Sequence, residues 1–289
     1  MAKVFGIVST KGGVGKTSVA ANLGGILADM GQKVLLIDGD FQQSLSSYYK
    51  IIERAGFGLS EFIREVNPGG CISKTSITNL HIVLSNDPKG NLTDWIKEST
   101  HNVHYLSAAI KKLQADYDYI IIDSQGARGL LQQSIILASD ALLSPLVPEI
   151  LDSKEFQRGT VQVLKDLEPV PGVPMPVPNI PHLYGLIYRQ ERTNHSMSIA
   201  NMLRKQFYEE AKGKISILDT FVPHISAYKK ASVLQEPVHR IETSRTGPTA
   251  SAYETFLSLV HELLPHLNDV EPEWEGMPTA KIAVAGAGS

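Results

Sequence analysis

Thr10-Lys11-Gly12-Gly13-Val14-Gly15-Lys16-Thr17 lies between the apolar run Val4-Phe5-Gly6-Ile7-Val8 and an alanine- and leucine-rich stretch, Ser18 to Met30, that stops at Gly31. The run reads as a buried parallel strand and the stretch as a helix with a glycine stop. The segment between them fits the phosphate-binding pattern G-x-x-x-x-G-K-[ST], with Thr10 in place of the first glycine and an extra lysine, Lys11, after it. In such a loop the backbone of Gly12, Gly13, Val14, Gly15, Lys16, Thr17 and Ser18 surrounds phosphates. Lys16 adds a charge, and the Thr17 hydroxyl is placed for Mg²⁺. A helix N-terminus at this point also turns its free N–H groups and positive dipole end toward an anion.

Two further segments carry carboxylates. Val34-Leu35-Leu36-Ile37-Asp38-Gly39-Asp40 is an apolar strand ending in acids at i and i+2, which puts Asp38 and Asp40 at its carboxyl end. Open α/β sheets bind ligands there. Taken alone, such a pair also suits a turn or a cap; the upstream phosphate loop favours a site. Tyr119-Ile120-Ile121-Ile122-Asp123 is a second such strand, and Asp123 is expected to hold Mg²⁺ through water alongside Thr17. Strands expected near 3–9, 33–38, 80–84, 118–122, 141–147, 183–188 and 216–222 alternate with helices. This predicts a doubly wound α/β fold, a mostly parallel sheet with helices on both faces.

The K-G-G-x-G-K-[ST] form of the loop resembles the deviant Walker A motif of the ParA/MinD family of ATPases. The resemblance implies that Lys11 reaches across a dimer interface to the nucleotide of the other subunit, while Lys16 serves its own β- and γ-phosphates. Asp38-Gly39-Asp40-Phe41-Gln42-Gln43-Ser44 is similar to the family's D-x-D-P-Q-G-N, in which the second acid, here Asp40, orients or deprotonates the attacking water. Lys11, Lys16 and Asp40 are therefore the expected catalytic set, with Thr17, Asp38 and Asp123 on the metal side. Phe41 replaces the usual proline, and Ser124-Gln125-Gly126 replaces x-P-P after Asp123, which leaves Gln125 without an assigned role.

Further along, Glu191-Arg192-Thr193-Asn194 looks like an A-R-T-N segment carrying a DNA-contacting arginine. Val222-Pro223-His224-Ile225-Ser226-Ala227-Tyr228-Lys229-Lys230-Ala231 is similar to I-P-R-N-V-R-L-x-E-A. The resemblance implies that Pro223 lines the adenine pocket. Ala227 stands where a second DNA-binding arginine is often found, so Lys229 and Lys230 are its expected substitutes. The likeness covers about residues 2 to 267, expected as one ATPase domain, with 268–289 as a mobile tail rich in Pro, Gly, Ala and acids.

Composition removes several classes. A chain of 289 residues with 43% apolar content can bury a large core, and its single cysteine, Cys71, permits no internal disulfide and no C-x-x-C cluster site. With no signal-peptide pattern and no apolar run of membrane-spanning length, a cytoplasmic, nucleoid-associated protein is expected. With the first strand at residue 3, no helix-turn-helix domain is expected ahead of it. Pro169 to Pro181 holds six prolines in thirteen residues and reads as an extended surface connection, with a docking peptide as the other possibility.

Tyr253, Phe256, Leu257, Val260, Leu263, Leu264 and Leu267 share one helical face, and no lysine or arginine falls between Pro248 and Leu267. A helix that binds anionic lipid needs such cations, so this one is expected to pack on the core, away from any membrane. The net charge is −3, yet Leu186 to Arg245 carries ten basic against six acidic residues. A basic stripe can hold a phosphate backbone without reading sequence, and a solvated face remains the plainer account of charge alone.

The resemblance implies an ATP- and Mg²⁺-dependent homodimer that binds DNA nonspecifically and is reset when a ParB-like partner accelerates hydrolysis, serving segregation of a plasmid, chromosome or mobile element. Two other readings stay open: a nucleotide switch that positions a polar or membrane assembly without DNA, and a ligase using ATP on a small acid.

Overall fold

A computed structural model describes residues 1–149, 154–169, 179–191, 193–210, 214–245 and 247–278. Its strands are β1 (Lys3–Ile7), β2 (Val34–Gly39), β3 (Ile51–Glu53), β4 (Ile72–Thr75), β5 (Leu80–Val83), β6 (Tyr119–Ser124), β7 (Ala141–Leu146), β8 (His182–Gln190) and β9 (Ile215–Pro223). They form one nine-stranded sheet in the order β3-β4-β5-β2-β6-β1-β7-β8-β9. From β5 to β9 the neighbours run parallel, whereas β4 is antiparallel to both β5 and β3. All seven expected strands are present. β3 and β4 are additions, because a three-residue strand and the half-polar Ile72-Ser73-Lys74-Thr75 carry no apolar run to announce them.

Successive side chains on a strand point to opposite faces, and the two halves of the core follow that alternation. Val34, Leu36 and Ile121 pack on one side with α1 (Lys16–Asp29) and the helix Ala252–Leu263. Leu35, Ile37, Ile120 and Ile122 pack on the other with α2 (Leu59–Arg64), α3 (Asn91–Lys97), α4 (Tyr105–Lys111), α5 (Leu130–Ala138) and the helix Asn194–Glu210. A sheet buried on both faces explains why its central strands are continuous apolar runs rather than alternating ones. α1 is itself almost wholly buried and ends as expected. Gly31 takes the left-handed conformation at φ 78°, and the Gln32 N–H returns to the Leu27 carbonyl at 3.1 Å.

The helix Ala252–Leu263 starts with a Ser251/Glu254 capping box and buries Tyr253, Phe256 and Val260, as its spacing predicts. It also protects an edge of the sheet. Glu262 accepts the Asp219 and Thr220 N–H groups of β9 at 2.7 and 2.9 Å, while Arg204 donates to the Leu218 and Asp219 carbonyls. These contacts occupy backbone groups that would otherwise invite another strand.

Residues 268–278 correct the expectation of a mobile tail from Asn268. The Glu273 N–H bonds the Asp29 carbonyl at 2.7 Å, the Tyr253 hydroxyl donates to Glu271 at 2.7 Å, and the Trp274 ring packs on His239 and Tyr253. One aromatic residue outweighs the polar composition around it, because His239 and Tyr253 offer its ring a surface. Residues 279–289 lie outside the described residues, as do 170–178 of the Pro-rich stretch. Among the described residues no helix is long and apolar enough to cross a membrane.

Candidate functional site

β1 leads to the carboxyl edge of the sheet, where residues 8–15 turn before α1 begins. Gly15 makes that turn at φ 98°, and a side chain there would also meet Tyr188, whose ring would lie 2.3 Å from a Cβ. Lys16 is buried, and its ammonium donates to the Lys11 carbonyl at 3.1 Å, closing the loop on itself. Burial lowers the Lys16 pKa, and Asp123 and Asp40 oppose that shift.

The parallel register sets Asp38 beside Asp123 on adjacent strands. Asp123 is fully buried; its Oδ2 accepts the Thr17 hydroxyl at 2.6 Å, and its Oδ1 has no hydrogen-bond partner among the described residues. Burial pushes its carboxyl up to about 8, opposed by the Thr17 hydrogen bond and reinforced by the neighbouring Asp38. An orphaned carboxylate oxygen next to a threonine hydroxyl is a donor set suited to a hard cation such as Mg²⁺. Thr17 and Asp123 would hold it.

Asp38, also expected on the metal side, is tied to the loop that follows β2. Its Oδ2 accepts both the N–H and the hydroxyl of Ser46 at 2.7 Å, and its Oδ1 accepts the Asp40 N–H at 3.1 Å. Both oxygens thus shape the loop after β2, and burial raises the pKa. That loop presents Asp40, whose Oδ1 accepts the Gln42 N–H at 3.0 Å and so orders the turn. Ser46 then accepts the Ser85 N–H at 2.9 Å, tying the loop to the end of β5.

Lys16, Thr17, Asp40, Gln125, Gly126 and Tyr188 line a common cleft of about 470 Å³, with Gly12, Gly13, Gly15 and Ser18 along its wall. Lys11 stands elsewhere. With Gly12, Gly13 and Val14 it lines a neighbouring cleft of about 480 Å³, opposite Glu149, Arg189 and His224.

Pro223, expected at the adenine pocket, ends β9 opposite Gln190, is buried, and stands apart from the phosphate-loop cleft. The side chain found there is Tyr188, which hydrogen-bonds Ser18, with Arg189 at φ 57° and 5.8 Å over its ring. No local pattern marks Tyr188, because its role comes from the pairing of β8 with β7 in the sheet.

The basic segment is thinner on the surface than its residue count suggests. Arg204 is spent on β9, Lys214 pairs Glu168, Arg240 pairs Asp29, and Arg245 pairs Glu254. Lys229 and Lys230 are exposed on the helix Ala227–Leu234, whereas Arg192 lies outside the described residues.

A family model described as an AAA domain matches residues 2–168. The virulence plasmid ParA family protein pGP5-D of Chlamydia psittaci is 36% identical over 149 residues, 51% of this chain and 58% of that protein. The chain thus matches little more than half the length of that relative. Over 271 residues, 92% of this chain and 96% of the other, it is 25% identical to the chromosome partitioning protein ParA of Caulobacter vibrioides. Among solved structures, the ATP complex of Cyanothece McdA superposes with a TM-score of 0.74 at 22% identity, covering 91% of this chain and 96% of that one. With its two-lysine phosphate loop, paired carboxylate strands and mostly parallel sheet, the chain belongs to this AAA-domain family, in its ParA/MinD branch.

Proposed function

We propose that this chain is a ParA-type ATPase switch that binds ATP with Mg²⁺, dimerises around it, holds DNA nonspecifically as a dimer, and is reset by partner-stimulated hydrolysis. The observation that carries this reading is the gathering of Lys16, Thr17 and Asp40 in one cleft at the N-terminus of α1, with Asp123 behind Thr17. The segregation of a plasmid, chromosome or mobile element, with a ParB-like protein as activator, is the task that the partition relatives suggest.

Hydrolysis in such a site rests on positioning and charge. The loop N–H groups and Lys16 hold the phosphates, and the Lys16 ammonium leaves the Lys11 carbonyl to do so. Bound Mg²⁺ supplies charge neutralisation at the phosphate oxygens. Asp40 accepts a hydrogen bond from the water whose oxygen attacks the γ-phosphorus, while the bridging oxygen leaves with ADP. Lys11 serves the nucleotide of a second subunit, a role supported by its position in the neighbouring cleft.

DNA binding is tested by gel shift with ATP and Mg²⁺ on any duplex. Affinity is expected only with ATP, falling against log salt by about 0.9 per neutralised phosphate, and Lys229→Glu with Lys230→Glu, or Arg192→Glu, should abolish it while dimerisation persists. Absence of duplex binding at low salt would overturn the DNA step and favour the assembly-positioning switch.

A further inference from the structure

Gln125 is the polar residue in the phosphate cleft for which the two-carboxylate scheme has no use. It follows the Asp123 strand, is half-buried, and faces the same space as Lys16, Asp40 and Gln42. Its loop is pressed against the phosphate loop. A Cβ on Gly126 would lie 2.9 Å from the Gly12 N and Cα and 3.1 Å from the Lys11 carbonyl oxygen, so residue 126 touches backbone that a side chain would push away. Three residues on, Arg128 donates to the Arg158 and Gly159 carbonyls in the single π-turn Gln157–Val161, and the adjacent Thr160 hydroxyl accepts the Thr10 N–H at 3.3 Å. The Gln125 loop, that turn and the phosphate loop therefore brace one another in a closed ring of contacts.

A carboxamide offers what Asp40 lacks, a donor and an acceptor in one neutral group. Held on a braced loop at the phosphate end of the cleft, it can accept from a water and donate to a phosphate oxygen, a division of labour that water-positioning glutamines perform in other phosphate-loop hydrolases. We propose that Gln125 is a second water-positioning residue for ATP hydrolysis, acting across the cleft from Asp40. The assignment rests on the hydrolytic reading of this site. It also gives the Ser124-Gln125-Gly126 departure from the family's usual x-P-P a chemical meaning: glycine for contact with the phosphate loop, glutamine for the water.

Single-turnover hydrolysis with protein in excess over Mg²⁺-ATP tests the proposal, together with ATP affinity by titration of a fluorescent analogue. Gln125→Ala should lower the hydrolysis rate constant on the order of 10²-fold with unchanged affinity and melting temperature. Gln125→Glu keeps the side chain's size, and should lose rate as well, because it removes the donor and adds a charge facing the phosphates. A Gln125→Ala rate equal to that of the unmodified protein, or an affinity loss that accounts for the whole rate loss, would overturn the assignment. Asp40→Ala run alongside separates the two claims: full hydrolysis in that variant sinks the Asp40 role and leaves Gln125 standing, and an unmodified protein that turns over no ATP sinks both.

Discussion

Thr17 donates its hydroxyl proton to Asp123 across 2.6 Å, and this hydrogen bond joins the first turn of α1 to the end of β6. The other Asp123 oxygen, fully buried, has no hydrogen-bond partner among the described residues. Burial, reinforced by the neighbouring Asp38, holds that carboxyl well above the usual range.

Asp123→Asn should leave the fold of the nucleotide-free protein nearly unchanged, since an amide matches the carboxyl in size and its oxygen still accepts the Thr17 hydroxyl. Mg²⁺-ATP should no longer raise its melting temperature as it does for the unmodified chain. Thr17→Ala should destabilise even the free protein, by about 1–3 kcal/mol, because the buried Asp123 carboxyl then loses the Thr17 hydrogen bond. Thermal unfolding with and without Mg²⁺-ATP checks both, and an undiminished ligand shift in Asp123→Asn would remove Asp123 from the metal side.

Lys16 and Asp40 should fail differently. Lys16→Ala removes a ground-state phosphate contact, so ATP affinity drops; Asp40→Ala should bind ATP normally and accumulate the ATP-bound dimer. Equal affinity losses in the two variants, read with a fluorescent ATP analogue, would contradict the role given to Asp40.

Lys11 is exposed on the far wall of the loop, among Val14, Glu149 and Arg189. Lys11→Ala should still bind ADP as a monomer and fail to dimerise with ATP. Light scattering that showed an ATP-dependent dimer of normal affinity would end the cross-subunit assignment.

Buried at the far end of α1, Asp29 accepts hydrogen bonds from His239 at 2.7 Å and Arg240 at 2.6 and 2.8 Å, with Glu236 and Trp274 around the arginine. Burial lowers the His239 pKa below 6.5, so between its folded value and 6.5 the unfolded chain binds the extra proton. Stability from this residue is then complete above pH 6.5 and declines as the pH falls, with a slope of at most about 1.4 kcal/mol per pH unit. Asp29 is also held below its ordinary range despite burial, through Arg240 and His239, so its own contribution is lost only in stronger acid. Chemical denaturation between pH 7.5 and 5.5 should show the decline, and His239→Gln should flatten it. An unaltered slope in His239→Gln would place the titration elsewhere.

The phosphate loop, the two carboxylate strands, the helix stop at Gly31 and the core face of the last helix were all legible in the sequence. Each is a local pattern, set by backbone geometry or by periodic burial over a few turns, and such patterns survive without knowledge of neighbours. The division of labour among the acids was not legible. Asp38 and Asp123 both end apolar strands, and only the tertiary structure ties Asp38 to Ser46 and Asp123 to Thr17. Tyr188 beneath Gly15, the Arg128 brace and the docking of Trp274 on His239 likewise join residues far apart in the chain. Sequence patterns report which face of an element is apolar. Which atoms meet across elements depends on strand order and register, and those are decided when the whole sheet assembles.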